Sequence, residues 1–224
     1  MNYTDIIKQA VENANAGKSK LTQSILDLEG MSSNKIRHFL NNIISLQEGK
    51  ARYLEVGVWK GSTTISALYK NNPEYHTAID NFVQFNGPRL EFQKNCRKWL
   101  DYENRVNFAD IGCFDIDPVH DLNITNINTY LYDGEHSYDS QYKAITHYEG
   151  ALADEFILIV DDYNWDEVQR GTQDGIRDMK FNVHYQVHLP ANPVTVPGRW
   201  GPEIFGDKAL WWNGYYVAHC TKTT

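Results

Sequence analysis

Apolar positions along the chain change period near residue 51. Before it, the spacing is helical. Asp5 to Asn15 forms one short helical stretch, and Ser32-Ser33-Asn34 offers a cap to Ile36, Phe39, Leu40, Ile43, Ile44 and Leu46, which recur at i, i+3 and i+4. After it, short apolar runs alternate with helical patterns. Strands are expected at Arg52–Val56, Tyr75–Ile79, Val106–Ala109, Thr129–Tyr132 and Phe156–Val160. Helices are expected from Ser62 to about Tyr69, near Pro88–Leu100, from Ser137 to Leu152 and from Asp166 to about Lys180. Two late strands, Val183–Leu189 and Gly214–Cys220, have no helix between them. Strand-helix alternation predicts an α/β fold, a doubly wound, seven-stranded, mostly parallel sheet whose two closing strands make an antiparallel edge. Residues 1–50 read as an N-terminal helical cap, and 51–224 as the main part of a single globular domain.

The connection from Pro190 to Asp207 holds four of the seven prolines together with Gly198, Gly201 and Gly206. Irregular segments of this length are commonly lids or binding loops.

The most informative local pattern is Leu54-Glu55-Val56-Gly57-Val58-Trp59-Lys60-Gly61-Ser62-Thr63. An apolar strand ends in Glu-x-Gly, and Gly-Ser-Thr opens the next helix. Glycine allows close approach of a ligand to the backbone, and the first N–H groups of a helix suit a polar or anionic group. The stretch is therefore expected to cradle a small cofactor. Gly57 and Gly61 lie four apart, which departs from the G-x-G-x-x-G of dinucleotide-binding loops.

An acid also marks each of the first five strands: Glu55, Asp80, Asp110, Asp133 and the pair Asp161-Asp162. In a doubly wound sheet, ligands bind beyond the carboxyl ends of the strands. There Asp80 can accept hydrogen bonds from ribose hydroxyls, and Asp110 from an adenine amine; the alternative for each is to cap the following helix. If the fourth and fifth strands are neighbours, Asp133, Asp161 and Asp162 converge. Three like charges are unfavourable there unless protonated or neutralised, and a hard divalent cation such as Mg²⁺ or Ca²⁺ neutralises them through oxygen ligands; alternatively the Asp161-Asp162 pair splays, one side chain solvated and one capping the helix at Asp166. His136 lies three residues beyond Asp133, where an imidazole can serve as a general base or cap the next helix.

Bulk properties narrow the field. With 42% hydrophobic residues the chain of 224 can bury a substantial core, and its mean hydropathy of -0.55, with no apolar run near the ~18 residues of a spanning helix, disfavours a membrane protein. The N-terminus is too polar for a secretory signal. A net charge of -8 disfavours nucleic acid as the main partner. Cys96, Cys113 and Cys220 are few and widely spaced, consistent with reduced thiols in a cytoplasmic protein.

Taken together, the loop Leu54–Thr63 resembles the first motif of class I S-adenosylmethionine-dependent methyltransferases, with their Rossmann-like fold. Asp133-Gly134-Glu135-His136-Ser137-Tyr138 with Ile159-Val160-Asp161-Asp162-Tyr163-Asn164-Trp165 resembles, more narrowly, the metal-dependent sugar O-methyltransferases of the macrocin type and their bacterial relatives. The likeness runs from about Leu54 to Asp178. It implies that Glu55, Gly57, Trp59, Gly61, Ser62 and Thr63 hold the methionine part of S-adenosylmethionine, with Asp133 beside it, and that Asp80 and Asp110 take the ribose and adenine. It further implies that Asp133, Asp161 and Asp162 bind Mg²⁺, that His136 is the base, and that the chain self-associates. The expected reaction is methyl transfer to a hydroxyl of a small molecule, such as a sugar or vicinal diol. Residues 1–50 and 181–224 carry no such motif. Trp200, Trp211 and Trp212 can line an acceptor pocket, although Trp211 and Trp212 also suit strand or core positions.

Overall fold

In a computed structural model of the chain, residues 1–100, 107–190 and 210–223 are described. Three helices come first: α1 (Tyr3–Asn15), α2 (Gln23–Leu26) and α3 (Asn34–Ser45). Asn2 and Ser33 cap α1 and α3, each side chain accepting from a backbone N–H three residues on. Then follow β1 (Arg52–Val56), α4 (Ser62–Leu68), β2 (Tyr75–Asp80), α5 (Arg89–Trp99), β3 (Asn107–Asp110), β4 (Ile127–Tyr132), α6 (Tyr138–Thr146), β5 (Leu152–Val160), α7 (Asp166–Asp178), β6 (Asn182–Leu189) and β7 (Tyr215–Thr221).

The seven strands form one sheet in the order β3-β2-β1-β4-β5-β7-β6. The first five are parallel, and β7 runs antiparallel between β5 and β6. Side chains alternate between the two faces of a strand, so each central strand feeds two cores. Tyr53, Leu131, Ile157 and Ile159 meet Ile6, Ile7, Phe39 and Ile43 of α1 and α3 on one face. Leu54, Tyr130, Leu158 and Val160 meet Ala144, Ile145, Val168 and Ile176 of α6 and α7 on the other. The order reverses between β1 and β4, which opens the crevice where ligands bind in such sheets.

Four elements differ from expectation. The helix expected from Ser137 to Leu152 stops at Thr146; a single 3-10 turn, Glu149–Ala151, follows, and β5 begins already at Leu152. Leu152 pairs with Ile127 at the start of β4, and the β4–β5 register then shifts before Thr129, so tertiary pairing claims residues whose local spacing suits a helix. The α2 helix has only four residues, too few to display a period. β3 ends one residue later than expected, at Asp110, and Val106, expected to start it, lies outside the described residues, as do 191–207 of the proline-rich connection. Trp211 and Trp212 sit in a turn before β7 rather than in the strand. No described helix is long and apolar enough to cross a membrane.

Candidate active site

Loops following β1, β2, β4 and β5 surround one cavity at the carboxyl edge of the sheet, closed on one side by the segment before α3. The β1 loop makes a tight left-handed path, with φ of 85° at Gly57, 42° at Trp59 and 84° at Gly61. A Cβ on Gly57 would lie 1.9 Å from the carbonyl oxygen of Asp133, so only glycine lets this loop meet the end of β4. Gly61 caps α4 without a side-chain bond and packs against Phe92.

Of the cofactor-site residues inferred from sequence, Gly57, Trp59, Ser62, Thr63, Asp80 and Asp133 line the cavity. The other three are elsewhere. Glu55 is fully buried under the loop, where it accepts from Thr63 Oγ1 at 2.5 Å and Tyr53 Oη at 3.1 Å. Burial pushes its carboxyl up to about 7, against the lowering effect of those hydroxyls. Gly61 is not among the lining residues. Asp110 pairs with Arg89 at 2.6 Å and is not among the lining residues.

Asp80 faces the cavity yet is already engaged. One of its oxygens accepts from the backbone N–H groups of Val58 and Trp59 at 2.8 and 3.0 Å, the other from Phe82 at 2.7 Å. It fixes the shape of the glycine loop, and any ribose contact must use its remaining lone pairs. Trp59 Nε1 is buried without a partner among the described residues, an orphaned donor beside the cavity.

Asp133, Asp161 and Asp162 meet at the far end. Adjacent β4 and β5 place one ligand oxygen from each within 4.8 Å of the others. Asp162 has φ 56°, a left-handed conformation, and its backbone N–H donates to Asp161 Oδ1 at 2.8 Å. Burial, reinforced by the neighbouring carboxylates, raises Asp133 and Asp161 well above the usual range. Three oxygen donors and this electrostatic stress fit a hard divalent cation. Asp162 accepts from His136 Nε2 at 2.7 Å and from Asn213 Nδ2 at 2.6 Å. Burial works to lower the His136 pKa, but the bond to Asp162 and the charges of Asp162, Asp161 and Glu135 carry it above the ordinary value. The His136 ring also rests against Trp165, 5.4 Å between centroids.

Met31, Phe82, Phe85, Trp212 and Asn213 line the same cavity and were not identified as lining from sequence, apart from Trp212 as one alternative. Trp211 instead packs edge-on against Phe39 in the core. Trp200 lies outside the described residues. The Trp-Asn-Gly run before β7 was the one available signal for Asn213: short polar and glycine residues preceding a strand mark a loop, and loops carry sites.

The likeness to known structures follows the geometry. A putative O-methyltransferase from Klebsiella pneumoniae superposes with a TM-score of 0.58 at 13% identity, covering 97% of this chain and 90% of that one. An O-methyltransferase from Bacillus cereus in complex with S-adenosylhomocysteine gives 0.60 at 10% identity over 96% and 90%. The fold is that of the class I S-adenosylmethionine-dependent methyltransferases. The same methyltransferase fold is shared with a putative RNA methyltransferase from Pyrococcus horikoshii, at 0.56 and 11% identity over 97% and 100%. No family model matches the chain, and no curated protein does. On this methyltransferase fold the cavity occupies the crevice between β1 and β4, where the strand order reverses.

Proposed function

We propose that this chain is an S-adenosylmethionine-dependent O-methyltransferase that uses a divalent cation, Mg²⁺ by its ligand chemistry, and acts on a hydroxyl of a small molecule such as a sugar or vicinal diol. The observation that carries this reading is the three-carboxylate cluster in the same cavity as the glycine loop. Such a cluster is costly without a cation to neutralise it.

Asp133, Asp161 and Asp162 would hold the cation, which supplies Lewis acidity that lowers the pKa of an acceptor hydroxyl. Gly57, Trp59, Ser62 and Thr63 form the wall on which the donor would lie. His136, anchored through Asp162, is the group that would take the hydroxyl proton. Met31, Phe82, Phe85 and Trp212 supply apolar wall, which excludes water from the reacting atoms. The net charge of -8 supports a small acceptor over nucleic acid.

The test is methyl transfer from labelled S-adenosylmethionine to a panel of vicinal diols, catechols and sugars, with Mg²⁺ and with excess chelator. Turnover that needs the metal supports the reading. Full activity in chelator sinks the metal assignment, and S-adenosylhomocysteine binding without any divalent-cation binding favours a non-catalytic cofactor-binding protein.

A further inference from the structure

Arg37 is completely buried in α3, on the cap rather than in the sheet. Its Nη1 donates to the carbonyls of Ile25, Leu26 and Leu28 at 3.2, 2.9 and 2.8 Å, and Nε donates to Ser32 Oγ at 3.0 Å. Nη2 has no partner among the described residues. Ser32 Oγ in turn lies 3.2 Å from Ser62 Oγ, and Ser62 lines the cofactor cavity. Gly30 closes this junction: a Cβ there would sit 2.0 Å from Ser62 Oγ and 2.7 Å from Arg37 Nη2. Lys60 Nζ pairs with Glu29 Oε1 at 2.6 Å, which ties the same segment to the glycine loop.

We propose that Arg37, Ser32 and Ser62 form a relay that recognises the α-carboxylate of the methyl donor, with Arg37 a positioning residue that fixes the direction of the two hydroxyls. The proposal rests on the donor named under the proposed function. A serine hydroxyl has one proton and two lone pairs. Ser32 Oγ accepts from Arg37 Nε, so its own proton can pass to Ser62 Oγ. Ser62 then accepts within the protein, which leaves its own proton for a ligand in the cavity that Ser62 lines. A chain of bonds starting at a cation polarises each member in that sense. Hydroxyls aimed the other way would present lone pairs to the cavity and repel a carboxylate. The guanidinium starts such a chain at neutral pH: burial lowers it, the charge of Asp27 works to raise it, and at about 10 it is still protonated. An unpartnered Nη2 adds uncompensated positive charge beside the same junction.

Ser32→Ala tests the relay and leaves the three carbonyl bonds of Arg37 in place. Calorimetry on the full chain would compare S-adenosylhomocysteine with 5′-S-(3-aminopropyl)-5′-thioadenosine, which lacks the carboxylate. In the wild type, S-adenosylhomocysteine is expected to bind more tightly. In Ser32→Ala its affinity should fall about tenfold, as for a hydrogen bond to a charged group, while that of the amine analogue stays unchanged. Arg37→Lys, which cannot donate through Nε and Nη1 together, should shift the ratio of the two affinities in the same direction. Equal losses for both ligands in Ser32→Ala, or no loss, overturn the relay and leave the donor assignment standing. A wild type that binds neither ligand removes the donor reading itself and the relay with it.

Discussion

The backbone of Gly57 lies against the carbonyl of Asp133, closely enough that a methyl group on Gly57 would stand 1.9 Å from that oxygen. One contact therefore couples the loop after β1 to the acid after β4, and Asp133 N donates to the Val56 carbonyl at 2.8 Å just beside it. Gly57→Ala is expected to displace Asp133 and distort the loop together, because φ of 85° is also unfavourable for alanine. Calorimetry should record loss of both S-adenosylhomocysteine and Mg²⁺ binding. Loss of only one would mean that the two ends move independently.

Charge repulsion among Asp133, Asp161 and Asp162 predicts opposite effects with and without metal. Asp161→Asn removes a buried carboxyl whose ionisation is opposed by burial and by Asp162, so in chelator the variant should melt at a higher temperature than the wild type. With Mg²⁺ at a hundred times its dissociation constant, the wild type should gain about 2.7 kcal/mol and the variant much less. Thermal melts in chelator and in Mg²⁺ check both. Turnover should fall to background in the variant while S-adenosylhomocysteine affinity is largely kept.

His136 is placed by its bond to Asp162 and by the Trp165 ring. His136→Ala is expected to lower kcat by about 10²–10⁴-fold, the usual contribution of a general base, with little change in donor affinity. A rate within twofold of the wild type on a turned-over acceptor would assign the histidine a structural role.

Glu55 makes stability fall with rising pH. Its carboxyl is raised from 4.5 to about 7, mainly by burial, so the folded chain holds that proton more tightly than the unfolded one. The contribution is full below about pH 4.5 and is lost as pH rises through 7, on the order of 3 kcal/mol in all. Gln is neutral throughout and can still accept from Thr63. Denaturant unfolding at pH 5 and pH 8 in chelator should show a smaller decline for Glu55→Gln than for the wild type. Parallel declines would refute the assignment.

Helix α7 touches α6 through two glycines. A Cβ on Gly171 would meet the Tyr138 carbonyl at 2.5 Å, and one on Gly175 would meet Ile145 Cβ at 2.8 Å. Tyr138 also donates to Asp174 at 2.8 Å. Gly171→Ala should cost about 1–3 kcal/mol by overpacking, despite alanine's better helix propensity. It should also reduce kcat, since α6 begins just after His136. Urea unfolding and kinetics read the two effects separately.

Much of the architecture was legible in the sequence. Buried parallel strands such as Leu152–Val160 in its second half and Arg52–Val56 appear as apolar runs, and a glycine-rich break followed by Ser-Thr marks the passage into α4. The acids at the strand ends were visible because a parallel sheet places every strand's carboxyl end on one rim. Their individual duties were not. Asp80 accepts twice from the glycine loop after β1 and once from Phe82, Glu55 is buried behind that glycine loop, and Asp110 turns to Arg89, because each side chain answers to the donors that the fold brings near it. The boundary at Leu152 was hidden for the same reason: pairing with Ile127 outweighs local helical spacing.

By itself, then, the sequence determined the order of the strands and of the longer helices, the glycine loop and the set of carboxylates, since those depend on local periodicity and on the fixed polarity of a parallel sheet. Tertiary structure alone decided that α3 and the segment before it supply Met31, Ser32 and Arg37 to the cavity wall and its support, and that Asn213 bonds Asp162. Those residues lie far along the chain from the motifs they serve, and only burial of the apolar faces of α1, α3 and β7 against the sheet brings them there.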